Sequence, residues 1–352
     1  MTTNRTLQMT TTPDRRLPRR PGAAMQGAWR WAATHSLLLG SIALLVVFSV
    51  LNDAFLTVDN FRNVFIQASV ISVVAVPTAL LLIAGKVDLS VGSTLALGGV
   101  VSGLLISHGT PFVPAVLAGV LAGAAVGTVN GMLVTMWDLS PIIVTLGALT
   151  AVRGLALTIA PDPVFGFSDS FLGLGGNELL GVPYLVLIAA AVFLLGAAVL
   201  SRMPVGRHVY AIGVNAEAAY LSGVRVRRIG LALFVATGAA AGLAGVMLAA
   251  RLGSAPSGAL GLGFELDVLT AVILGGVAFN GGRGSIAGVL LGVLFLGVLQ
   301  NGLTLENVPA ATALLLKGVV LVIAAGLDRI AVSAPSGARP PAAPADDPGD
   351  AR

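Results

Sequence analysis

The segment RMPVGRHVYAIGVNAEAAYLSGVRVRR, residues 202–228, decides how this chain is arranged, because it is a long polar break between apolar runs. It carries five arginines: Arg202, Arg207, Arg225, Arg227 and Arg228. Runs of the roughly 20 apolar residues that a membrane helix needs lie on both sides. A cationic segment between two such runs is expected on the cytosolic side of a membrane. It is also long enough to offer a docking surface.

The composition predicts an integral membrane protein. Hydrophobic residues make up 56% of the 352 residues, and charged residues only 10%. Soluble domains carry about 25% charged residues, so this chain has too few to cover a water-facing surface. The 45 glycines are suited to close packing of membrane helices. We predict one all-α transmembrane domain over residues 35–330, with disordered cytosolic tails at 1–34 and 331–352.

Apolar segments predict about ten transmembrane helices. They lie at 36–52, 62–84, 90–107, 112–136, 141–160, 179–201, 229–250, 267–280, 285–303 and 308–327. The eighth is short and runs into a glycine-rich stretch, as in a broken or re-entrant helix. An even number of spans places both termini and residues 202–228 in the cytosol, and the acidic segment 161–178 outside. Arg62 and Arg251 fall near the outer side and count weakly against this orientation.

Two parts of the chain share an ordered set of features. The first half has Asp88, LGGV at 97–100, AGVL at 118–121, NG at 130–131 and RG at 153–154. The second half has Asp267, LGGV at 274–277, AGVL at 287–290, NG at 301–302 and KG at 317–318. Matching segments lie five spans apart, which predicts an inverted five-helix repeat of the kind found in transporters. Composition bias in a chain rich in Gly, Val and Leu is the alternative.

Each half contributes one acid and one base within the apolar region. Charges at this depth usually face a cavity or pair with each other, so we expect pairs of Asp88 with Arg153 and of Asp267 with Lys317. The alternative for both acids is capping of helix N-termini near the interface.

The segment GVNAEAAYLSG, residues 213–223, predicts a short helix on the cytosolic face. Asn215 can cap its N-terminus and Gly223 can end it. Such a helix would present Tyr220 and Leu221 to a groove and leave Glu217 to pair with a basic partner. A plain amphipathic surface helix is the alternative.

Motifs for catalysis are missing from the sequence. It has no cysteine, no phosphate-binding loop of the Walker type and no HExxH zinc motif. The basic residues lie in the N-terminal tail and in loops, so nucleic-acid binding is not expected despite a pI near 10.1. We therefore predict neither an enzyme nor a cofactor within this chain.

The sequence resembles the permease subunits of monosaccharide ABC importers, of the ribose, xylose, arabinose and galactose type. The resemblance extends from about residue 36 to 330. Its motifs are GKVDLSVGS at 85–93, TLGALTAVRG at 145–154, residues 206–223, FELD at 264–267, and GGRGS at 281–285. This family usually shows Gly-Ile-Asp or Gly-Gly-Ile-Asp where this chain has Gly85-Lys86-Val87-Asp88, and the lysine leaves the substrate open.

The resemblance implies a multi-pass protein of the bacterial inner (plasma) membrane that acts as a homodimer. It implies two further partners: a periplasmic or lipid-anchored sugar-binding protein, and a cytosolic ABC ATPase subunit that binds the ATP. The residues expected to couple the chain to the ATPase are Asn215, Glu217, Ala218, Ala219, Tyr220, Leu221 and Gly223. The residues expected along the path or in charge pairs are Asp88, Ser90, Asn130, Thr145, Arg153, Glu265, Asp267, Asn301 and Lys317.

Two alternative functions remain. Permeases for nucleosides or branched-chain amino acids belong to the same family and share its fold, and they are the nearest alternative for the substrate. A secondary transporter coupled to H⁺ or Na⁺ would need acidic residues at the midplane of the membrane, for which Asp88 and Asp267 are the candidates.

Overall fold

The computed structural model describes residues 36–333, so the predicted tail 1–34 and nearly all of 331–352 lie outside the described part. Within it the chain is helical apart from one short hairpin. The elements are α1 (Ser36–Leu51), α2 (Val58–Ile83), α3 (Val91–Ser107), α4 (Phe112–Thr135), α5 (Pro141–Ile159), α6 (Asp169–Gly176), β1 (Glu178–Leu179), β2 (Val182–Pro183), α7 (Tyr184–Arg202), α8 (Pro204–Val214), α9 (Ala216–Leu221), α10 (Val226–Leu252), α11 (Phe264–Leu274), α12 (Ile286–Leu305) and α13 (Ala310–Ser333).

Six of these helices are long and apolar enough to cross a membrane: α2, α4, α5, α7, α10 and α12. Shorter apolar helices lie within α1, α3 and α13. The 11 residues of α11 make a helix about 16 Å long, which is only about half of the hydrocarbon thickness of a bilayer. The structure is therefore that of a multi-pass membrane protein with at least one helix too short to span.

Two predicted boundaries were wrong. The segment predicted at 267–280 is helical over Phe264–Leu274 instead, because Gly275 ends the helix and Gly276 follows with a φ of +81°. The segment predicted from residue 179 starts its helix at Tyr184, because the residues before it form an antiparallel hairpin. Its turn residues Leu180 and Gly181 both have positive φ, which is the geometry of a two-residue hairpin loop.

The centre of the fold is formed by α2, α3, α10 and α12, whereas α5 and α7 lie at the periphery. Glycines allow neighbouring helices to approach closely, as predicted. A Cβ added to Gly123 of α4 would clash with the carbonyl oxygen of Gly238 in α10. A Cβ added to Gly98 of α3 would lie 2.6 Å from the Cα of Gly242 in α10. Backbone-to-backbone contact of this kind replaces the hydrophobic driving force that lipid removes.

The loops gather at two ends of the helical body. Residues 83–86, 136–140, 203–228 and 279–285 form one of them, which we call the basic end. There the N–H of Gly282 donates to the carbonyl of Ile83 at 2.8 Å, and Arg227 forms an ion pair of 3.1 Å with Asp138.

The opposite end carries residues 52–57, 160–183, 253–263 and 306–309. Arg62 forms an ion pair with Glu178 there, and Val164 pairs with Ala255. The positive charge of Arg62 is therefore balanced by a carboxylate at the same end.

Candidate functional site

The short helix α9 forms on the basic end with the bounds expected from the sequence, Ala216–Leu221. The side chain of Asn215 accepts a hydrogen bond of 2.9 Å from the N–H of Ala218, which is an N-cap. Gly223 follows the helix with a φ of +84°, and its N–H donates to the carbonyl of Tyr220. Both ends of the helix are thus fixed by local interactions.

One face of α9 is anchored and the other is free within the described chain. Ala219 is buried, whereas Tyr220 is 68% and Leu221 79% exposed. Glu217 and Ala218 are exposed as well. Tyr220 and Leu221 are therefore accessible to a partner on this face of α9.

Contacts of α8 join this helix to the loops beside it. The Tyr210 hydroxyl donates a 2.7 Å hydrogen bond to the carbonyl of Gly284. Burial raises the pKa of Tyr210, so the phenol remains a donor at neutral pH. A Cβ on Gly213 would clash with the carbonyl of Ile83 and the amide nitrogen of Gly282. These contacts pack α8 directly against the loops at 83–86 and 281–284.

Three of the predicted path residues form a buried cluster at the start of α3. The carboxylate of Asp88 accepts hydrogen bonds from the N–H of Ser90 at 2.8 Å and from its hydroxyl at 2.6 Å. The amide of Asn130 on α4 donates to the Ser90 hydroxyl at 2.9 Å. The carboxylate of Asp88 therefore accepts a hydrogen bond from a backbone N–H at the start of α3. Inside a membrane protein, a backbone N–H outside regular structure must find such a partner.

The expected pair of Asp88 with Arg153 is not formed, and this part of the prediction was wrong. Arg153 donates instead to the carbonyls of Ser257 and Leu260, at 2.8 and 2.7 Å, and more weakly to that of Gly92. The guanidinium has five donors in a planar fork, and the loop before α11 offers several carbonyls to it. Arg153 thus ties α5 to this loop.

The second expected pair is present: Lys317 Nζ lies 2.9 Å from Asp267 Oδ2. It connects α13 to α11, and both side chains are only about a fifth to a quarter exposed. Glu265 lies two residues earlier, half-buried against Gly92.

The remaining predicted path residues lie apart from these groups. Asn301 of α12 donates a 2.9 Å hydrogen bond to the side chain of Asn60 on α2. Thr145 is fully buried, and its hydroxyl donates to the carbonyl of Pro141 within α5. Neither residue touches the Asp88 cluster by hydrogen bond, so the predicted set is distributed over several helix contacts.

Two cavities follow α5. One of about 700 Å³ lies between α3, α4 and α5 and is lined by small and branched apolar side chains, with Asn130 at its edge. The other, of about 330 Å³, opens at the basic end around Lys86, Ser140 and Asn280. Together they follow α5 from Ser140 to Ile159.

Sequence reasoning missed several residues of this arrangement. The partners of Arg153 are backbone carbonyls, which no residue type signals. The packing roles of Tyr210 and Gly213 were not predicted either, although both lie in the segment that the sequence singled out. No group of acids and histidines in the described residues is arranged to hold a metal ion.

Comparison with known proteins identifies the family. The model for the permease component of branched-chain amino acid transport systems matches residues 60–325, from the first turn of α2 into α13. This chain belongs to that permease family. The match covers both the Asp88 cluster and the short helix α9.

Individual relatives are similar over most of their length. The L-arabinose ABC transporter permease protein AraH of Azospirillum brasilense is 37% identical over 88% of this chain and 91% of its own. The D-allose transport system permease protein AlsC of Escherichia coli is 36% identical, over 85% and 92%. The ribose import permease protein RbsC of Bacillus subtilis is 38% identical, over 83% and 91%. The expected resemblance to monosaccharide permeases is confirmed, and no solved structure matches the chain.

Proposed function

We propose that this chain is the transmembrane permease subunit of an ATP-driven importer that moves a simple sugar, a pentose or a hexose, into the cytosol. The observation that carries the proposal is the exposed docking helix α9, whose neighbour α8 packs without a gap against the loops at Ile83 and Gly282. A separate cytosolic ATPase would bind Tyr220 and Leu221. Its movement would pass through α8 to these loops and open or close the path at the basic end.

The proposed orientation places the basic end in the cytosol. Four arginines of the segment 202–228 lie there with Lys86 and Arg283, and the fifth, Arg202, is the last residue of α7 beside it. Arg62 and Arg251 at the opposite end are outnumbered by these seven basic residues. Positive charge on short loops favours the cytosolic side, and both termini would then be cytosolic.

The proposed architecture has ten crossings arranged as an inverted five-helix repeat, and the crossing that contains the short α11 is completed by the loop 253–263 before it. Its support is that matched glycines make matched contacts. A Cβ on Gly119 would lie 2.7 Å from the carbonyl oxygen of Gly98. A Cβ on Gly288 would clash with the carbonyl oxygen of Gly275. Gly98 matches Gly275, and Gly119 matches Gly288, in the two parts of the sequence.

The proposed path runs along α5, and a second copy of the chain would cover its open side. The exposed apolar side chains of α5, including Ile143 and Leu146, support such a contact. A cleft lined by small apolar groups offers a sugar few fixed partners, so recognition is assigned to a separate binding protein. No bound cofactor is required for this role.

The names of the arabinose, allose and ribose permeases support a sugar as cargo, whereas the family description favours a branched-chain amino acid as the second candidate. Ion coupling is less well supported, because Asp267 is paired with Lys317 and Asp88 is held by Ser90. Uptake of labelled ribose, arabinose, allose and leucine by the assembled importer separates these cargoes. Transport that persists with ATP after a protonophore supports ATP coupling, and its collapse would favour ion coupling.

The decisive variant is Leu221→Arg, which places a charge on the exposed face of α9. It is expected to reduce co-purification of the ATPase and uptake by at least tenfold, since a desolvated charge in an interface costs several kcal/mol, with about 1.4 kcal/mol for each tenfold. Leu180→Arg, in the exposed hairpin at the opposite end, is the matched control and should retain the ATPase. Unaltered ATPase binding by Leu221→Arg would contradict the docking role.

A further inference from the structure

A long apolar groove lies on the outside of the helical body, away from α5. It has a volume of about 710 Å³ and runs between α2, α7 and α10. On α10 it follows Ile229, Ala232, Ala236 and Ala240, whose spacing of three to four residues places them on one helix face. The distance from Arg228 to Ala240 is about 18 Å along the axis, which is close to the roughly 15 Å of one hydrocarbon leaflet.

The two ends of the groove differ in charge. Its mouth at the basic end is formed by Arg225, Arg228 and His208, whereas the rest of its lining is apolar. Both arginines are exposed, and within residues 36–333 neither forms an ion pair. Arg227, between them in sequence, points elsewhere and pairs with Asp138. No acidic residue lines the groove.

We propose that this groove binds an anionic phospholipid from the leaflet at the basic end. One acyl chain would lie along the alanine face of α10, and the phosphate would contact Arg225 and Arg228, with His208 beside it. Basic pockets between membrane helices are suited to anionic headgroups. On the orientation proposed above, the lipid comes from the cytosolic leaflet.

Charge and polarity favour lipid over the other possible occupants. The N-terminal tail is rich in arginine, including Arg15, Arg16, Arg19 and Arg20, and would bring like charge to the mouth. The C-terminal residues 334–352 carry aspartates, but have no apolar run that could fill a groove of this length. Only a molecule with an apolar stem and an anionic head matches both ends.

The test is native mass spectrometry of the purified full chain in detergent, titrated with phosphatidylglycerol or phosphatidylcholine of the same acyl chains. The natural chain is expected to bind phosphatidylglycerol more tightly. Each basic residue near an anionic headgroup contributes about fivefold in affinity. The variant Arg225→Gln/Arg228→Gln should therefore lose a preference of roughly twenty-five-fold. Arg227→Gln is the matched control and should keep the preference.

A second variant tests the apolar part of the groove. Ala236 is exposed to it, so Ala236→Trp should fill the space and reduce binding of both lipids. Leu194→Trp, at an exposed position of α7 outside the groove, should not. Thermal unfolding midpoints of all variants establish that they are folded.

Several outcomes would overturn the proposal. They are equal binding of the two lipids by the natural chain, an unchanged preference in the double variant, and undiminished lipid binding by Ala236→Trp. A change of oligomeric state in Ala236→Trp without a change in bound lipid would assign the groove to a second copy instead. None of these outcomes bears on ATPase docking at α9, so the function proposed above is tested separately.

Discussion

The α3–α4 pair and the α11–α12 pair resemble each other in backbone packing and differ in their polar contacts. Gly98 meets Gly119 in the first pair, and Gly275 meets Gly288 in the second, at matched positions. The charges behave differently. Beside the second pair, Asp267 of α11 forms an ion pair with Lys317 of α13. Beside the first pair, Asp88 is held by Ser90, and Arg153 of α5 is held by loop carbonyls.

The difference indicates that the repeated motifs specify how closely two helices approach, and do not specify which side chains pair. A glycine contact depends only on the backbone of the matched glycine in the other helix. An ion pair depends on long side chains that can reach any acceptor nearby. The two helix pairs therefore share a backbone contact and are stabilised by different polar interactions.

The largest effect is expected at the matched glycines. Gly119→Ala and Gly288→Ala would each place a Cβ against a backbone carbonyl that cannot move aside. We expect each variant to lower the free energy of unfolding by about 3 kcal/mol or more. Both the yield of monodisperse protein and the thermal unfolding midpoint should then fall.

Gly318→Ala is the matched control for these variants, because nothing lies within 4 Å of its added Cβ. In an unobstructed helix, alanine stabilises the folded state by roughly 0.5 to 1 kcal/mol relative to glycine, so this variant should be slightly more stable. If the protein tolerates Gly119→Ala but not Gly288→Ala, the α3–α4 and α11–α12 pairs do not pack alike.

A smaller effect is expected from Lys317→Met, which leaves Asp267 without its partner. The pair is neither fully buried nor fully exposed, so the cost should be about 2 kcal/mol, between the values for surface and buried pairs. Adding Asp267→Asn should restore most of the loss in thermal stability.

The same experiment at the matched position of the first half should give the opposite result. Asp88→Asn should not rescue Arg153→Met, because these two residues are not paired. Rescue of Arg153→Met by Asp88→Asn would contradict this, because it would show that Asp88 and Arg153 are paired in the same way as Asp267 and Lys317.

The smallest effect is expected from Ser90→Ala. It removes the hydroxyl that connects Asp88 and Asn130, at a cost of about 1 to 2 kcal/mol for groups left with one partner fewer. Ser93→Ala, whose hydroxyl bonds only to the carbonyl of Ser90, should cost less by the same thermal measurement. An equal loss in both would mean that the cluster contributes no more than a local helix contact.

Local signals in the sequence were sufficient for some parts of the structure. The bounds of α9 follow from Asn215 and Gly223, because capping depends on the residues next to the helix end. The apolar runs identified where each long helix lies, since lipid imposes a minimum length. The close glycine contacts were expected from composition alone.

Other parts could not be predicted, for identifiable reasons. The contacts of Arg153 involve carbonyls about a hundred residues away, and every residue has a carbonyl. The hairpin before α7 depends on Leu180 adopting a positive φ, which its residue type does not suggest. The early end of α11 required knowing that Gly276 would adopt the left-handed conformation.

The side of the membrane on which the basic end lies tests the account most directly. The chain contains no cysteine, so Ser222→Cys next to α9 and Leu180→Cys in the opposite hairpin each introduce a single thiol at an exposed position. With a membrane-impermeant maleimide, we expect Leu180→Cys to react in intact spheroplasts and Ser222→Cys to react only in inside-out vesicles. Labelling of Ser222→Cys in intact spheroplasts would contradict the account, because a cytosolic ATPase could not then reach α9.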